Sequence, residues 1–509
     1  MHLFQKNLQQ IGFFLLMSLL LGLTYTQEPL FFAHQYYIHG LAKAGYGILH
    51  KDWIASTLDA FPLFSAIVTI THKYFFDGFF YIYHMLLLGV YEVGMISIAD
   101  SLFKIRSSRT SFLLFLGAFI GIHSMLWMIF TKEMGNVLYN GVANFYLLGP
   151  IFQPALFGVF LITSIALFLR GNIKTAVLIA GLVPWMHPTY LLSSGALMAA
   201  YFLTNIRRRS FHDSLEMIAL GVMTLAPPAV FSLLTVGFAT RPELMKQAQD
   251  ILVNIRIPHH ALPSAALSHP FERIIFVAVA IWMMRKTKMM LILLVPLVIC
   301  IALSLLAIFT GSETLDLLFP WRLSVFLVPL SLTIYLAWIS RYLPAKFHDD
   351  IYRWAFEGLS IIAIVASVSY GGWLMAPYLQ KNYNPKSNEY KGIVQFVRQN
   401  LLTNDVYLIP PKNKEFMFFR LQTTAPIYVD WKSHPFGDKD IVEWYRRYQE
   451  AQSLYEPYTT INCDLIKKLK TKYHLTRMVL WKDNPTNDPV CPGMQFMYGN
   501  EMYSIVGLQ

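Results

Sequence analysis

Between residues 10 and 377 one apolar segment follows another, separated by short basic clusters and a few longer polar loops, and a more polar stretch, 378–509, closes the chain. Runs that approach or exceed about 18 apolar residues are long enough to cross a hydrocarbon core of ~30 Å. Inside lipid a backbone must satisfy its own hydrogen bonds, which leaves helices or closed barrels. Barrel strands alternate apolar and polar residues, and these runs do not, so they read as helices. Composition agrees. The 509 residues are 55% hydrophobic and 14% charged, with a mean hydropathy of +0.44, whereas a soluble domain carries about 25% charged residues. A soluble globular fold is excluded.

The formal charge of +11 raises nucleic acid as a partner, but the basic residues sit in clusters between apolar runs: Lys104/Arg106/Arg109, Arg170/Lys174, Arg207–Arg209, Arg285/Lys286/Lys288 and Arg341/Lys346/Arg353. That is the pattern of positive-inside topology, and no nucleic-acid partner is expected. With every cluster on the cytoplasmic side, 111–130 goes out and 148–169 returns, 214–238 and 270–285 form the next pair, and 289–309 and 318–339 the next. The last span, 355–377, places 378–509 outside. Lys6 precedes the apolar Ile11–Tyr25, and no small-x-small cleavage site follows it, so this segment reads as an uncleaved signal anchor with a cytoplasmic N-terminus. The expected localisation is the inner (plasma) membrane.

Two regions need local argument. Residues 175–204 lie between two basic clusters but carry Pro184 and His187-Pro188 near the middle. Proline breaks helices and biases its predecessor away from helix, so two short spans are expected, 175–186 and 190–204, with one long kinked helix as the alternative. In 59–99, residues 79–99 are the better crossing, 60–72 reads as re-entrant or interfacial, and whether 60–72 crosses stays open. The count comes to about eleven transmembrane helices. The domain division is 1–377 for the membrane part, with a first outer loop at 26–58, and 378–509 for an extracytoplasmic part.

In that last part 378–386 reads as a linker. Helical spacing covers 388–401, 438–454 and 463–473, and strands are expected at 406–409, 425–429, 477–481 and 502–508. This is a small α/β domain. Cys463 and Cys491 both fall in it, and an oxidising outer compartment would allow them to pair. Cys300 lies in an apolar span and reads as a core residue.

Several residues suit chemistry at a membrane edge. Glu28 is the first acid after the first span. A carboxylate there is partly desolvated and suits a general base or a ligand for a divalent cation such as Mg or Mn; it also fits a plain interface marker. Asp52, beside Trp53, fits a second carboxylate or a helix cap. His34 and His39 lie five apart, not the i, i+4 spacing of one helical face, so no zinc site is read from them, and they fit the lining of a substrate site. Arg322 follows Pro320-Trp321 at the end of an apolar span, where its planar fork could hold a lipid phosphate or snorkel as an anchor. Arg256 lies in the basic loop 239–269 with Arg241, Lys246, His259 and His260, which suits an anionic ligand. Tyr139, Asn140 and His187, in outer turns, fit contacts to sugar hydroxyls. Asp430, Trp431, Lys432, His434 and Pro435 make a polar–aromatic run that reads as a turn or a ligand site.

With these residues in view, the chain resembles the GT-C class of membrane glycosyltransferases: oligosaccharyltransferases, protein mannosyltransferases and aminoarabinose transferases. The residues that carry the resemblance are Glu28 just past the first span, Asp52-Trp53, Asp59-Ala60-Phe61-Pro62-Leu63, His187-Pro188 and Pro320-Trp321-Arg322. It covers 1–377. It implies a polytopic α-helical fold and transfer of a sugar from a polyprenyl-phosphate donor to a glycan, lipid or protein acceptor. Glu28 would be the catalytic carboxylate with Asp52 as partner, and Arg322, with Arg256, would bind the donor phosphate. The class often shows an Asp or an acidic pair where this chain has Glu28 between Gln27 and Pro29, and there is no Trp-Trp-Asp acceptor motif, which argues against protein N-glycosylation.

Two other classes compete. A transporter or flippase would place ionisable residues inside the bundle, and His84, Glu92 and His123 are candidates. A non-catalytic scaffold would use its outer part to bind a partner.

Overall fold

A computed structural model describes residues 2–25, 34–131, 138–143, 145–206, 210–237, 240–263, 270–347, 349–381, 387–456, 461–481 and 491–508. The chain divides into two compact bodies. One comprises Met1–Glu28, Phe80–Ser232 and Leu252–Gln380; the other comprises Pro29–Phe79, Leu233–Ile251 and Lys381–Gln509. The grouping follows contacts rather than chain order.

The first body is helical. Among the described residues six helices are long and apolar enough to cross a membrane: Asn7–Thr24, Phe79–Phe103, Phe211–Thr235, Met289–Thr310, Glu313–Lys346 and Asp350–Pro377. Arg109–His123, Pro154–Leu169 and Ile173–Met186 are shorter apolar helices. Val298, Leu306 and Phe309 on the Met289–Thr310 helix and Trp354 and Ile362 on the last are exposed. Water would penalise so many exposed apolar side chains and lipid does not. The chain is an integral membrane protein.

The 175–204 region folds as two short helices rather than one kinked one. Ile173–Met186 stops at His187-Pro188, and Leu191–Asn205 runs back beside it. The Ser194 hydroxyl donates to the Ala180 carbonyl at 2.7 Å, which only a hairpin permits. The first and last long helices meet at their backbones: a Cβ on Gly371 would lie 2.0 Å from the Leu23 carbonyl oxygen.

Basic residues from separate connections gather. The Arg106 guanidinium lies over Phe13 at 4.6 Å and feels the charge of Arg170. Lys288 lies over Phe168 at 5.9 Å. Arg109 pairs with Glu357 at 3.3 Å. Three of the clusters used to pair the spans therefore share one end of the bundle.

In the second body the helix His34–Ala44 packs on Pro62–Tyr74, with Gly40 against Val68 and Thr69 Oγ1 donating to the Gly40 carbonyl at 2.9 Å. Pro62–Tyr74 has 13 residues, and at 1.5 Å per residue it reaches about 20 Å, short of a ~30 Å core. Among the described residues the remainder is built on a four-stranded sheet, β1 (Tyr407–Leu408), β2 (Arg477–Trp481), β3 (Met494–Gly499) and β4 (Tyr503–Leu508), in the order β1-β2-β4-β3. β1 and β2 are parallel, and the other pairs are antiparallel. Helices Asn388–Asn400, Asp438–Leu454 and Cys463–Tyr473 surround it. Tyr390, Ile393, Val397, Tyr407, Ile427, Val479 and Ile505 form the core.

Two local expectations change. The strand expected at 425–429 is a single bridge, Ile427 to Tyr407. Pro426 has no N–H to donate, and Thr424 turns into the left-handed region at φ +58°. β3 is additional to the expected strands; its residues are half or fully exposed, and a bulge at Phe496/Tyr498 breaks the alternation that would reveal it. Cys463 and Cys491 are bonded, with Cα atoms 5.4 Å apart.

Candidate functional site

Arg322 stands on a turn that the chain sets up locally. Phe319 is left-handed at φ +50°, Pro320 opens the 3-10 turn Pro320–Leu323, and the helix Ser324–Tyr342 follows. The side chain is buried, at 9% exposure. Its guanidinium carbon lies 4.9 Å from the Tyr190 ring centre and 5.2 Å from that of Phe145. Its Nε has no hydrogen-bond partner, and no carboxylate pairs with it among the described residues. Buried charges in proteins are ordinarily paired. Two aromatic faces attract a cation but do not neutralise it.

Its surroundings are held firmly. The Tyr190 hydroxyl donates to the Ala155 carbonyl at 2.7 Å. The Ser324 hydroxyl donates to the Trp321 carbonyl at 2.5 Å and accepts from the Val142 amide at 2.7 Å. His187 is buried, pairs through Nδ1 with the Thr189 hydroxyl at 2.7 Å, and lies close enough to Arg322 to feel its charge. The structure thus brings Arg322 and His187 together.

Tyr139 and Asn140 belong to the same neighbourhood. The 139–145 turn closes with the Gly141 amide donating to the Phe145 carbonyl at 2.9 Å. One end of it carries Phe145, which lies under Arg322 and stacks on His260 at 4.8 Å. The other end carries Tyr139, stacked on His123 at 4.7 Å and edge-on to Tyr25 at 6.4 Å. Tyr25 donates to the Leu148 carbonyl at 2.6 Å. The Asn140 Oδ1 is buried without a hydrogen bond among the described residues. The last described residue of the first helical segment and Arg322 therefore flank one short turn. Glu28, three residues after Tyr25, lies outside the described residues.

Phe145 and Tyr190 carry no signal in the sequence. A lone aromatic residue makes no motif, and only its ring over a guanidinium gives it a role. Arg256 is buried at the end of the π-helical turn Ile251–Arg256.

In the second body Asp52, expected as a catalytic partner, is held in a buried hydrogen-bond network. It is buried, at 1% exposure. Its Oδ1 accepts from the Ile54 amide at 2.9 Å; its Oδ2 accepts from Arg420 Nε at 2.7 Å and from the Ile427 amide at 3.0 Å. Arg420 also donates to Asp430 at 2.8 Å and to the Ser433 hydroxyl at 3.0 Å. Asp52 thus ties a local turn to the buried Arg420 network, and the 3-10 turn Ile54–Ser56 that follows it carries no side-chain cap. Burial disfavours the Arg420 cation, but its two carboxylates outweigh that and push its pKa up. Asp430 and Ser433 likewise belong to this network, so the 430–435 run is a structural turn at that end. His39 is buried, and burial lowers its pKa although Asp59 opposes the shift. The side chain of His34, the first residue of its helix, lies outside the described residues.

One further group stands out in the bundle. Glu92 is fully buried on the Phe79–Phe103 helix, and neither carboxyl oxygen has a hydrogen-bond partner among the described residues. On the same helix His84 Nε2 bonds the Gly149 carbonyl at 2.8 Å, while its Nδ1 is unpartnered among the described residues. Tyr91 pairs with His123 Nε2 at 3.2 Å. Among the described residues no group of three or more His, Cys, Asp or Glu is placed to hold a metal ion.

Comparison with known proteins adds three findings. Residues 388–451 match a family described as a domain of unknown function, DUF6798. No curated protein matches. Among solved structures, the crystal structure of ArnT from Cupriavidus metallidurans bound to undecaprenyl phosphate is similar over 98% of each chain, with 11% identity and a TM-score of 0.47. At that score the likeness adds no weight to what the residues themselves support.

Proposed function

We propose that the membrane body binds a polyprenyl-phosphate-linked sugar and that the protein transfers the sugar to a glycan, lipid or protein acceptor at the outer leaflet. The observation that carries this reading is Arg322: a buried guanidinium in a membrane protein, flanked by two rings and lacking an anionic partner among the described residues. A phosphate on a lipid carrier supplies the missing charge and reaches the site from the bilayer.

In this mechanism Arg322, with Arg256 as its second cation, holds the donor phosphate and stabilises the charge that grows on it as the glycosidic bond breaks. Glu28 takes the acceptor's proton as the acceptor oxygen attacks the sugar carbon, which inverts its configuration. Asn140 and His187 line the sugar side. The gathering of Arg106, Arg109, Arg170 and Lys288 at one end supports a cytoplasmic face there, with the Arg322 site towards the outer leaflet and the last span delivering residues 378–509 outside.

The test uses purified full-length protein with undecaprenyl phosphate as the probe. Arg322→Ala is expected to lose lipid binding, and Glu28→Gln to keep binding but lose sugar transfer. Equal binding by wild type and Arg322→Ala would remove the phosphate site. Glu92 favours a second reading, a transporter or flippase whose intramembrane carboxyl carries an ion.

A further inference from the structure

The second body contains a groove of about 480 Å³ lined by Lys51, Asn404, Asp405, Lys470, His474 and Thr476. That is ample room for a monosaccharide-sized ligand. Its elements are fixed. Lys51 ends a short 3-10 turn just before the buried Asp52, and Asp52 is locked to Arg420. Asn404 and Asp405 precede β1. Lys470 lies in the last turn of the helix Cys463–Tyr473, and His474 caps that helix in a left-handed conformation, φ +55°.

The charges in the groove do not balance. Asp405 is buried and already committed: it accepts from the Leu402 amide at 3.0 Å and the Thr476 hydroxyl at 3.0 Å, and pairs with Arg477 at 3.4 Å. Lys51 donates to the neutral Asn404 amide oxygen, at 3.1 Å. Neither Lys51 nor Lys470 pairs with a carboxylate among the described residues. Their neighbour Lys468 does pair, with Glu450 at 3.2 Å. Two ammonium groups and an imidazole therefore converge on one concave surface whose acid, Asp405, is neutralised from behind. A cleft lined by one sign of charge focuses its field and attracts the opposite charge.

We propose that this groove is a binding site for a phosphate-bearing ligand, with Lys51 and Lys470 holding the phosphate and Asn404 and His474 contacting neighbouring hydroxyls. The groove shares no residue with the Arg322 site, and its failure would leave the transfer reading untouched. The phosphate could come from a free sugar phosphate or from a lipid headgroup.

The experiment titrates full-length protein in neutral detergent with glycerol 3-phosphate and with uncharged glycerol. A parallel arm measures flotation with phosphatidylcholine vesicles with and without phosphatidic acid, protein being reconstituted beforehand in nanodiscs. Glycerol 3-phosphate is expected to bind and glycerol not to bind. Lys51→Ala with Lys470→Ala is expected to weaken binding at least tenfold, and Lys467→Ala, a loss of charge on the same helix outside the groove, to leave it unchanged. Binding of glycerol 3-phosphate alone marks a soluble ligand; recruitment to phosphatidic acid vesicles that the double variant loses marks a headgroup. None of the three lysines is buried, so an unchanged melting temperature verifies the fold. Absence of binding by wild type in both arms, or equal loss in Lys467→Ala and the double variant, overturns the proposal.

Discussion

Arg420 donates from Nε to Asp52 Oδ2 at 2.7 Å, with both side chains buried and 368 positions between them. A second carboxylate, Asp430, takes the same guanidinium through another nitrogen at 2.8 Å. The early segment around Asp52 is thereby a built-in part of a body composed mainly of residues 381–509.

Removing Asp52 leaves the buried Arg420 with one of its two carboxylates, Asp430, and takes the acceptor from the Ile427 amide. Asp52→Ala is expected to destabilise the second body by about 2–4 kcal/mol. Limited proteolysis and thermal melting would show it. Any loss of activity in that variant should track the loss of folded protein, whereas a defect at full stability would place Asp52 in the chemistry.

His39 makes stability depend on pH. Burial holds its folded pKa below the ordinary 6.5, so the unfolded chain takes up the proton first. Its contribution is complete above about pH 6.5 and falls away as the pH drops through the lowered folded value. His39→Gln is expected to flatten the melting temperature between about pH 5 and 7 relative to wild type.

At the candidate phosphate site, charge alone should not suffice. Arg322→Lys keeps the charge but loses the planar group that lies over Tyr190 and Phe145. We expect transfer to fall by a factor on the order of 10², with lipid binding weakened less than in Arg322→Ala. Transfer assays over a range of donor concentrations separate the two effects.

Glu92 discriminates between the two readings. With no partner to lose among the described residues, Glu92→Gln is expected to leave the melting temperature unchanged or raised. If the protein transfers sugar, transfer should persist in that variant; if it moves an ion with a substrate, uptake into proteoliposomes should cease.

The bond between Cys463 and Cys491 spans 28 positions. Replacing both by Ser is expected to cost about 3–4 kcal/mol of stability in the second body. The bond also reports side: mobility on a non-reducing gel of protein taken directly from cells should show it formed, since a cytosolic location would keep the thiols reduced.

Much of the helical plan is legible in the residues. Apolar length and the basic clusters mark the segments, and Pro184 with Pro188 marks the hairpin that the Ser194–Ala180 bond closes. Asp438–Leu454 and Cys463–Tyr473 follow from their amphipathic spacing. Arg322 is visible because an arginine at the end of an apolar run is costly. Its rings are not, because Phe145 and Tyr190 come from distant turns. Arg420 is invisible for the same reason: it reads as a surface arginine until Asp52 is placed beside it. β3 escapes because half-exposed strands lose the alternation that identifies them.

A ribosome releases Asp52 long before Arg420 exists. During synthesis this aspartate must remain hydrated, and it can be enclosed only when the distal segment arrives to neutralise it. Folding of the second body is therefore a late, near-completion event, and any nascent chain arrested after the last membrane helix would leave its early loop open to quality-control proteases.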